Sequence, residues 1–393
     1  MPHSPEDDID ALSVAYLAAE GRTQIEIART LNLSQSAVSR LYKTVRDSHI
    51  RTTFCQDKVS ADTLQRIQRR THPHAVEERL KELAREHGQE GPVVHSIFVR
   101  ADSDELAQFE QFAEGAAPVV HHLLRRVGRS VGVAWGGTLW QTTQRLRSIV
   151  ERPWREADPI EFIPLCGEPL VDTLDAQRFA DRTSSRIASE LSKIVNGDRP
   201  QPAWLGLVPA FIPRTFSGND RKVIDRLIDL VPYYGRIFGF RNRKKPSERP
   251  LVENLDMILT AAGDSEHPVG FGKGPLLQLN AEEAERLADQ IHGDIGGVLI
   301  PRLEPRLKKT APRRNLVAEL AHLWTGLKME HLHLCARQAF GEPGDTGRRP
   351  GVILLGYREG LADLVVQAAQ KGLVNHLLIG SPLEAAIEKT LAP

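Results

Sequence analysis

From Pro92 to the C-terminus, short apolar runs alternate with stretches of helical periodicity, and this alternation constrains the fold more than any other feature. VVHSIFV, VGVAW, EFIPLCG, AWLGLVPA, LDMILTAAG, GVILLG and HLLIGS have the length and branched, apolar character of buried strands. The stretches 104–122, 138–150, 176–195, 220–230, 361–371 and 383–391 lie between or after them and read as helices. Parallel strands need crossover connections that helices supply, so the pattern predicts a mostly parallel sheet covered by helices. Open sheets of this kind hold ligands beyond the carboxyl ends of their strands. The loops to inspect are therefore Gly136–Gly137–Thr138, Cys166–Gly167–Glu168, Ala262–Gly263–Asp264 and Gly356–Tyr357–Arg358–Glu359.

The chain before Pro92 has a different texture. Ile9, Leu12, Ala15, Tyr16 and Ala19 form one helical stripe. Ile25, Ala28 and Leu31 form a second, which breaks at Asn32–Leu33–Ser34 and resumes at Val38 and Leu41. Asn32 suits a left-handed helix end, and Ser34 can accept a hydrogen bond from an amide that opens the next helix. This is a helix-turn-helix pattern. Its second helix would show Gln35, Ser36, Ser39, Arg40 and Lys43, short hydrogen-bonding groups followed by long cations able to reach bases or phosphates in a major groove. After it, HIRTTFCQDKV alternates as a short strand or wing would, and residues 61–68 and 74–87 are helical within a charged stretch. The division expected is 1–57 as a DNA-binding domain, 58–91 as a connector and 92–393 as a larger domain.

With 51 basic and 51 acidic residues, the totals do not support general polyanion coating, so contact with double-stranded DNA must come from this local face. Cys55, Cys166 and Cys335 show no redox or metal spacing, and no apolar run has membrane-spanning length. A soluble, cytoplasmic protein without membrane association or cofactor is expected. His331, His333 and Cys335 do not make a metal site, because on a helix the middle residue faces away and leaves only an i, i+4 pair. The basic stretches 241–250 and 302–314 read as exposed loops.

Val131 to Thr138 carries the most suggestive chemistry. A strand runs into two glycines and a threonine, and a helix begins at once. Without side chains, Gly136 and Gly137 let backbone amides approach an anion, and the Thr138 hydroxyl with the helix N-terminus would complete a cradle. A Gly-Gly turn also serves as a plain tight connection. It is neither a Walker loop nor a dinucleotide fingerprint. In HGDIGG, Asp294 offers either an acceptor for sugar hydroxyls or a carboxylate satisfied by turn amides.

The helix-turn-helix, HPHAVEERLKEL, VGVAWGGTL, HGDIGG and the closing KGLVNHLLIGSPLEAAI together resemble the SorC-type sugar-binding transcriptional regulators over nearly the whole chain. The resemblance implies a large domain folded like sugar-phosphate isomerases and deaminases, which binds a sugar, polyol or sugar-phosphate effector and so alters operator binding, in a homo-oligomer, dimer or tetramer. It implies that Gly136, Gly137 and Thr138 hold the phosphate and Asp294 a hydroxyl; Gly167, in a loop at a neighbouring strand end, is a further expected effector-binding residue. Where members carry a Lys at the start of the penultimate helix, this chain reads LLGYREGLADL, and Arg358 is the substitute cation. The other reading is an enzyme acting on sugar phosphates, because the sheet resembles an isomerase fold. Fold alone does not carry activity.

Overall fold

The computed structural model describes residues 9–19, 22–48, 75–100, 104–150, 154, 159–168, 182–199, 208–216, 218–239, 249–265, 279–302, 316–340 and 349–392. The expected wing in HIRTTFCQDKV, the helical patch 61–68 and nearly all of the two basic stretches lie outside them, as do residues 203–207 of the AWLGLVPA run.

Three helices open the chain: α1 (Ile9–Ala19), α2 (Gln24–Leu31) and α3 (Gln35–Ser48). Thr23 and Glu26 cap α2 reciprocally, with Glu26 Oε2 accepting the Thr23 N–H at 2.8 Å and Thr23 Oγ1 accepting the Glu26 N–H at 3.4 Å. Asn32 ends α2 at φ 53°, ψ 45°, the left-handed stop expected of it, and Ser34 Oγ accepts the Ala37 N–H at 3.2 Å. The helices close on Leu12, Val14, Tyr16, Leu17, Ile27, Leu31 and Val38. One expected core position is corrected: Ile25 is 52% exposed, and Ile27 is the buried residue at 1%. The phase of α2 is set by the i, i+4 pair Ile27 and Leu31, not by Ile25, Ala28 and Leu31.

Beyond α4 (Ala75–Glu86), six strands pair in parallel: β1 (Val93–Ile97), β2 (Ser130–Val133), β3 (Glu161–Pro164), β4 (Met257–Asp264), β7 (Gly351–Gly356) and β8 (His376–Gly380). Their order is β1-β8-β7-β4-β2-β3. Strand alternation serves two cores. Met257, Leu259, Ile353, Leu355 and Leu378 face α5 (Glu105–Leu124), α6 (Gly137–Ile149) and α7 (Ser184–Asn196). Ile258, Val352, Leu354, Leu377 and Ile379 face α4, α12 (Met329–Phe340), α13 (Ala362–Gln370) and α14 (Ser381–Thr390). The helix α4, which lies in the stretch read as a connector, buries Val76 and Leu80 in the second of these cores.

Two features depart from the sequence reading. HGDIGG is not only a turn. Ile291–Ile295 (β5) and Val298–Pro301 (β6) form an antiparallel hairpin around Gly296 at φ 57° and Gly297 at φ 88°, a two-residue connection that demands positive φ twice. The second concerns residues 208–210, expected in a strand, where Pro209 makes only an isolated bridge to Glu168. The remaining helices α8 (Gly218–Asp229), α9 (Pro232–Phe238), α10 (Ala281–Gln290) and α11 (Leu316–Leu323) gather around a third core containing Trp135, Phe211 and Trp324. Arg214 ties this region together, bonding both Glu283 oxygens and Glu319 Oε1 at 2.9 Å.

At the β1–β8 edge, His95 Nε2 and His376 Nδ1 are 3.1 Å apart with their rings stacked. Burial, with Arg126 and His122 adding like charge, pushes the His376 imidazole down to about 4. The unfolded chain therefore binds this proton more readily than the folded one, and stability should fall as pH drops from about 6.5 toward 4. Urea unfolding at pH 7 and pH 5 should show a smaller acid loss in His376→Leu than in wild type, by up to about 1.4 kcal/mol per pH unit.

Candidate functional site

A cavity of about 480 Å³ opens at the carboxyl ends of β2, β4 and β7, beside the point where the chain, having added β3 on one side of β2, returns to add β4 on the other. This is the switch point at which open α/β sheets bind ligands. Its lining includes Gly136, Gly137 and Thr138 after β2, Gly263 and Asp264 of β4, Asp294 of β5, Gly356 at the end of β7, and Tyr357 and Arg358 after it. Glu105, Leu106 and Phe109 of α5 and Arg182 complete the wall.

The two glycines do different work. Gly136 has φ 132°, a conformation side-chain-bearing residues rarely adopt, and its N–H donates to the Arg182 carbonyl at 3.1 Å. Gly137 begins α6 with ordinary φ. A Cβ there would meet the Arg182 guanidinium at 3.4 Å and Phe109 Cζ at 3.6 Å, which is normal contact. The Thr138 hydroxyl has no hydrogen-bond partner among the described residues, and the first turn of α6 leaves amides facing the same space.

The loop is held from beneath by the turn that opens α7. Ser184 Oγ, fully buried, donates to the Val133 carbonyl at 2.5 Å and accepts the N–H groups of Leu165 (2.9 Å) and Cys166 (3.3 Å). Thr183 caps α7 on the Arg186 N–H, leaving Arg182 outside the helix and against Gly137. The sequence reading ran this helix from 176, which hid Arg182 among residues counted as helical. Arg182 has no acidic partner among the described residues. Arg358, the cation expected at the site, lines the cavity, pairs with Glu105 at 3.3 Å and lies over the Tyr357 ring at 5.9 Å.

Asp294 is 2% exposed, faces the cavity from the β5 position paired with Gly263, and accepts the Gly297 N–H at 2.8 Å. Of the two sequence readings of this residue, the Gly297 contact shows the turn-amide one. Gly167 does not line the cavity. Its Cβ would lie 2.5 Å from the Val208 carbonyl, so glycine here permits the close backbone approach in which Glu168 N–H bonds Val208 O and Ala210 N–H bonds Glu168 O, both at 2.8 Å. Next to it, burial pushes the Glu168 carboxyl above its usual value, opposed by the Ser185 and Thr183 hydroxyls.

The cavity thus has two chemically distinct walls. Phe109, Tyr357, Leu361 and Trp135 offer apolar and aromatic surface; Arg182, Thr138 and the start of α6 offer donors, and Asp264 and Asp294 offer acceptors. On the separate face of α3, Gln35, Ser36, Ser39, Arg40 and Lys43 are all exposed, opposite the buried Val38. Arg40 and Lys43 have no acidic partner among the described residues.

No protein-family model matches the chain, and no curated protein does. Solved structures do. The full-length sorbitol operon regulator SorC from Klebsiella pneumoniae aligns over 97% of this chain and 98% of its own, at 16% identity and a TM-score of 0.52. The chain shares that regulator's fold. A transcriptional regulator from Streptococcus pneumoniae TIGR4 aligns over 80% of this chain and 97% of its own, at 15% identity and a TM-score of 0.51. Among the described residues no helix is long and apolar enough to cross a membrane.

The two glycines separate fold from site experimentally. Gly136→Ala should cost about 1 to 3 kcal/mol through backbone strain, whereas Gly137→Ala should stay within about 0.5 kcal/mol of wild type, both read by urea unfolding.

Proposed function

We infer that the protein is a DNA-binding transcriptional regulator whose operator affinity is set by a small carbohydrate effector, a sugar, polyol or sugar phosphate, bound at the β2–β4–β7 edge. The observation that carries this reading is the pairing in one chain of an exposed polar and cationic α3 with a separate cavity, which sets Arg182 and the α6 amides against two carboxylates. A phosphate suits the first group, and hydroxyls suit Asp264 and Asp294. Aromatic walls at Phe109 and Tyr357 suit the C–H faces of a sugar. Gly136, Gly137, Thr138, Asp294 and Arg358 are effector residues on this reading, with Arg182 added as the principal cation and Gly167 as a support for the neighbouring strand end.

For the DNA face, Arg40 with Gln35, Ser36 and Ser39 would read bases, and Lys43 would contact phosphate. Operators are commonly two-fold, so paired heads in a homo-oligomer, dimer or tetramer, fit the role. The body of the protein, on this reading, begins with α4, whose apolar side is buried with the sheet, and an N-terminal head carries the DNA contacts.

Thermal-shift screening against hexoses, hexitols and their 6-phosphates, with inorganic phosphate as a control, tests the effector class. Arg182→Ala and Thr138→Val should each weaken phosphorylated ligands about ten- to a hundredfold, the value of a hydrogen bond to a charged group, and spare unphosphorylated ones. A screen without any hit, or turnover of a sugar phosphate by the purified protein, would favour a ligand-free DNA-bound scaffold or an enzyme respectively. Arg40→Ala should cost roughly 1 to 3 kcal/mol on the DNA upstream of its own gene and relax specificity, while Lys43→Ala should weaken all duplexes and flatten the salt slope. Unchanged binding by both variants would remove α3 as the reader.

A further inference from the structure

The head's core is small, and one of the side chains packed against it does not come from the head. Phe98, one residue past the end of β1, packs against the cluster formed by Leu12, Tyr16, Leu17, Ile27, Leu31 and Val38, and the Tyr16 ring meets it edge-on at 6.5 Å and 69°. The three described helices close on a cluster of only seven buried apolar side chains, and small cores are marginal. An aromatic ring supplied by the body therefore adds to the head's packing.

The next residue faces the other way. Val99 is 2% exposed and belongs to the body core that contains Phe112, Leu378 and Tyr357. Its N–H donates to Ser381 Oγ at 3.1 Å, and the same hydroxyl reaches the Ile97 carbonyl at 3.2 Å. Arg100 N–H donates to Gln111 Oε1 on α5 at 2.8 Å. The backbone carrying Phe98 is consequently held by β8, by α14 and by α5. Tyr357 closes the chain of neighbours: it lines the cavity, packs on Phe109 and Phe112 at 6.0 and 5.6 Å between ring centres, and with Val99 flanks Gly380, where an added Cβ would lie 2.8 Å from Tyr357 Cβ and 3.3 Å from Val99 Cγ2.

We propose that Phe98 and Val99 form the coupling element of this protein, with Phe98 seating the DNA-binding head and Val99 sharing with Tyr357 of the cavity wall the packing around Gly380, so that the state of that wall alters the stability of the head. The proposal rests on the regulator reading for its purpose, but not for its test. Coupling of this kind is a free energy, reciprocal between the two ends, and a ligand exerts it only by preferring one arrangement of the wall. Arg358, which lies over Tyr357 and is paired with an exposed Glu105, gives an anionic ligand one point at which to exert that preference.

Hydrogen-exchange mass spectrometry on the full chain tests the coupling without DNA or ligand. Phe98→Ala should speed exchange of amides in residues 24–44 roughly tenfold or more, while peptides of β4 stay as protected as in wild type, and Phe98→Leu should restore most of the loss. Tyr357→Leu, remote from the head, should also speed head exchange, and should add nothing in a Phe98→Ala background. Val99→Ala provides a second perturbation of the same link should Tyr357→Leu unfold the body. Head exchange unchanged by Phe98→Ala, or unchanged by both Tyr357→Leu and Val99→Ala in a folded body, would overturn the proposal. Equal, independent effects in the double variants would do the same. Since neither operator nor effector enters the measurement, a negative result leaves the regulator reading intact, and failure of the ligand or DNA experiments leaves this one standing.

Discussion

β4 continues past the point where its parallel neighbours stop, and the cavity exists because of it. Residues Met257 to Ala261 pair with β7, and the first three of them also with β2. From Ala262 to Asp264 the strand has neither neighbour and pairs antiparallel with Ile295 to Gly293. Backbone amides in that extension would otherwise be costly in a buried setting, and β5 satisfies them. The extension also projects Asp264 and, across the ladder, Asp294 into the gap between the ends of β2 and β7. A partner exchange within one strand thus creates the space and furnishes its acceptors.

The opposite wall depends on a single hydroxyl. Ser184 binds the end of β2 to the end of β3, and the turn it belongs to receives the Gly136 amide and delivers Arg182 to Gly137. Acceptors from β4 and β5 and donors from α6 and the α7 turn therefore reach the cavity from different segments of the sheet, each positioned by buried hydrogen bonds. Pre-organisation of this kind lowers the ordering cost of binding.

Much of the architecture was legible because each strand announces itself by branched apolar residues between polar turns. The head's caps followed from the chemistry of Asn32 and Ser34. Three things were hidden, each for a physical reason. In β5 and β6, glycines at 293, 296 and 297 obscure the strand pattern; the hairpin is specified by positive φ at two adjacent glycines, which composition alone does not distinguish from a loop. Ile25 and Ile27 are equally apolar, and only tertiary packing, which buries Ile27 in the cluster with Leu17, Leu31 and Val38, selects between them. Arg182 lies more than forty residues from Gly137 with no shared motif, and the fold alone brings them together. Gly167 was read as a ligand contact because it ends a strand, yet the space beside it is filled by residues 208 to 210.

The unequal demands on Gly136 and Gly137 have a genetic side. A glycine codon becomes an alanine codon by one base change. At position 136 that change strains the backbone at φ 132°, and selection for a folded protein would remove it. At position 137 the added methyl group finds ordinary contacts, so a folded protein survives with its floor raised beneath the proposed effector. Such a chain would keep its fold and the exposed face of α3 while the floor of its cavity changed shape. One nucleotide can therefore reshape the cavity at position 137 without touching the fold, a freedom that position 136 does not have.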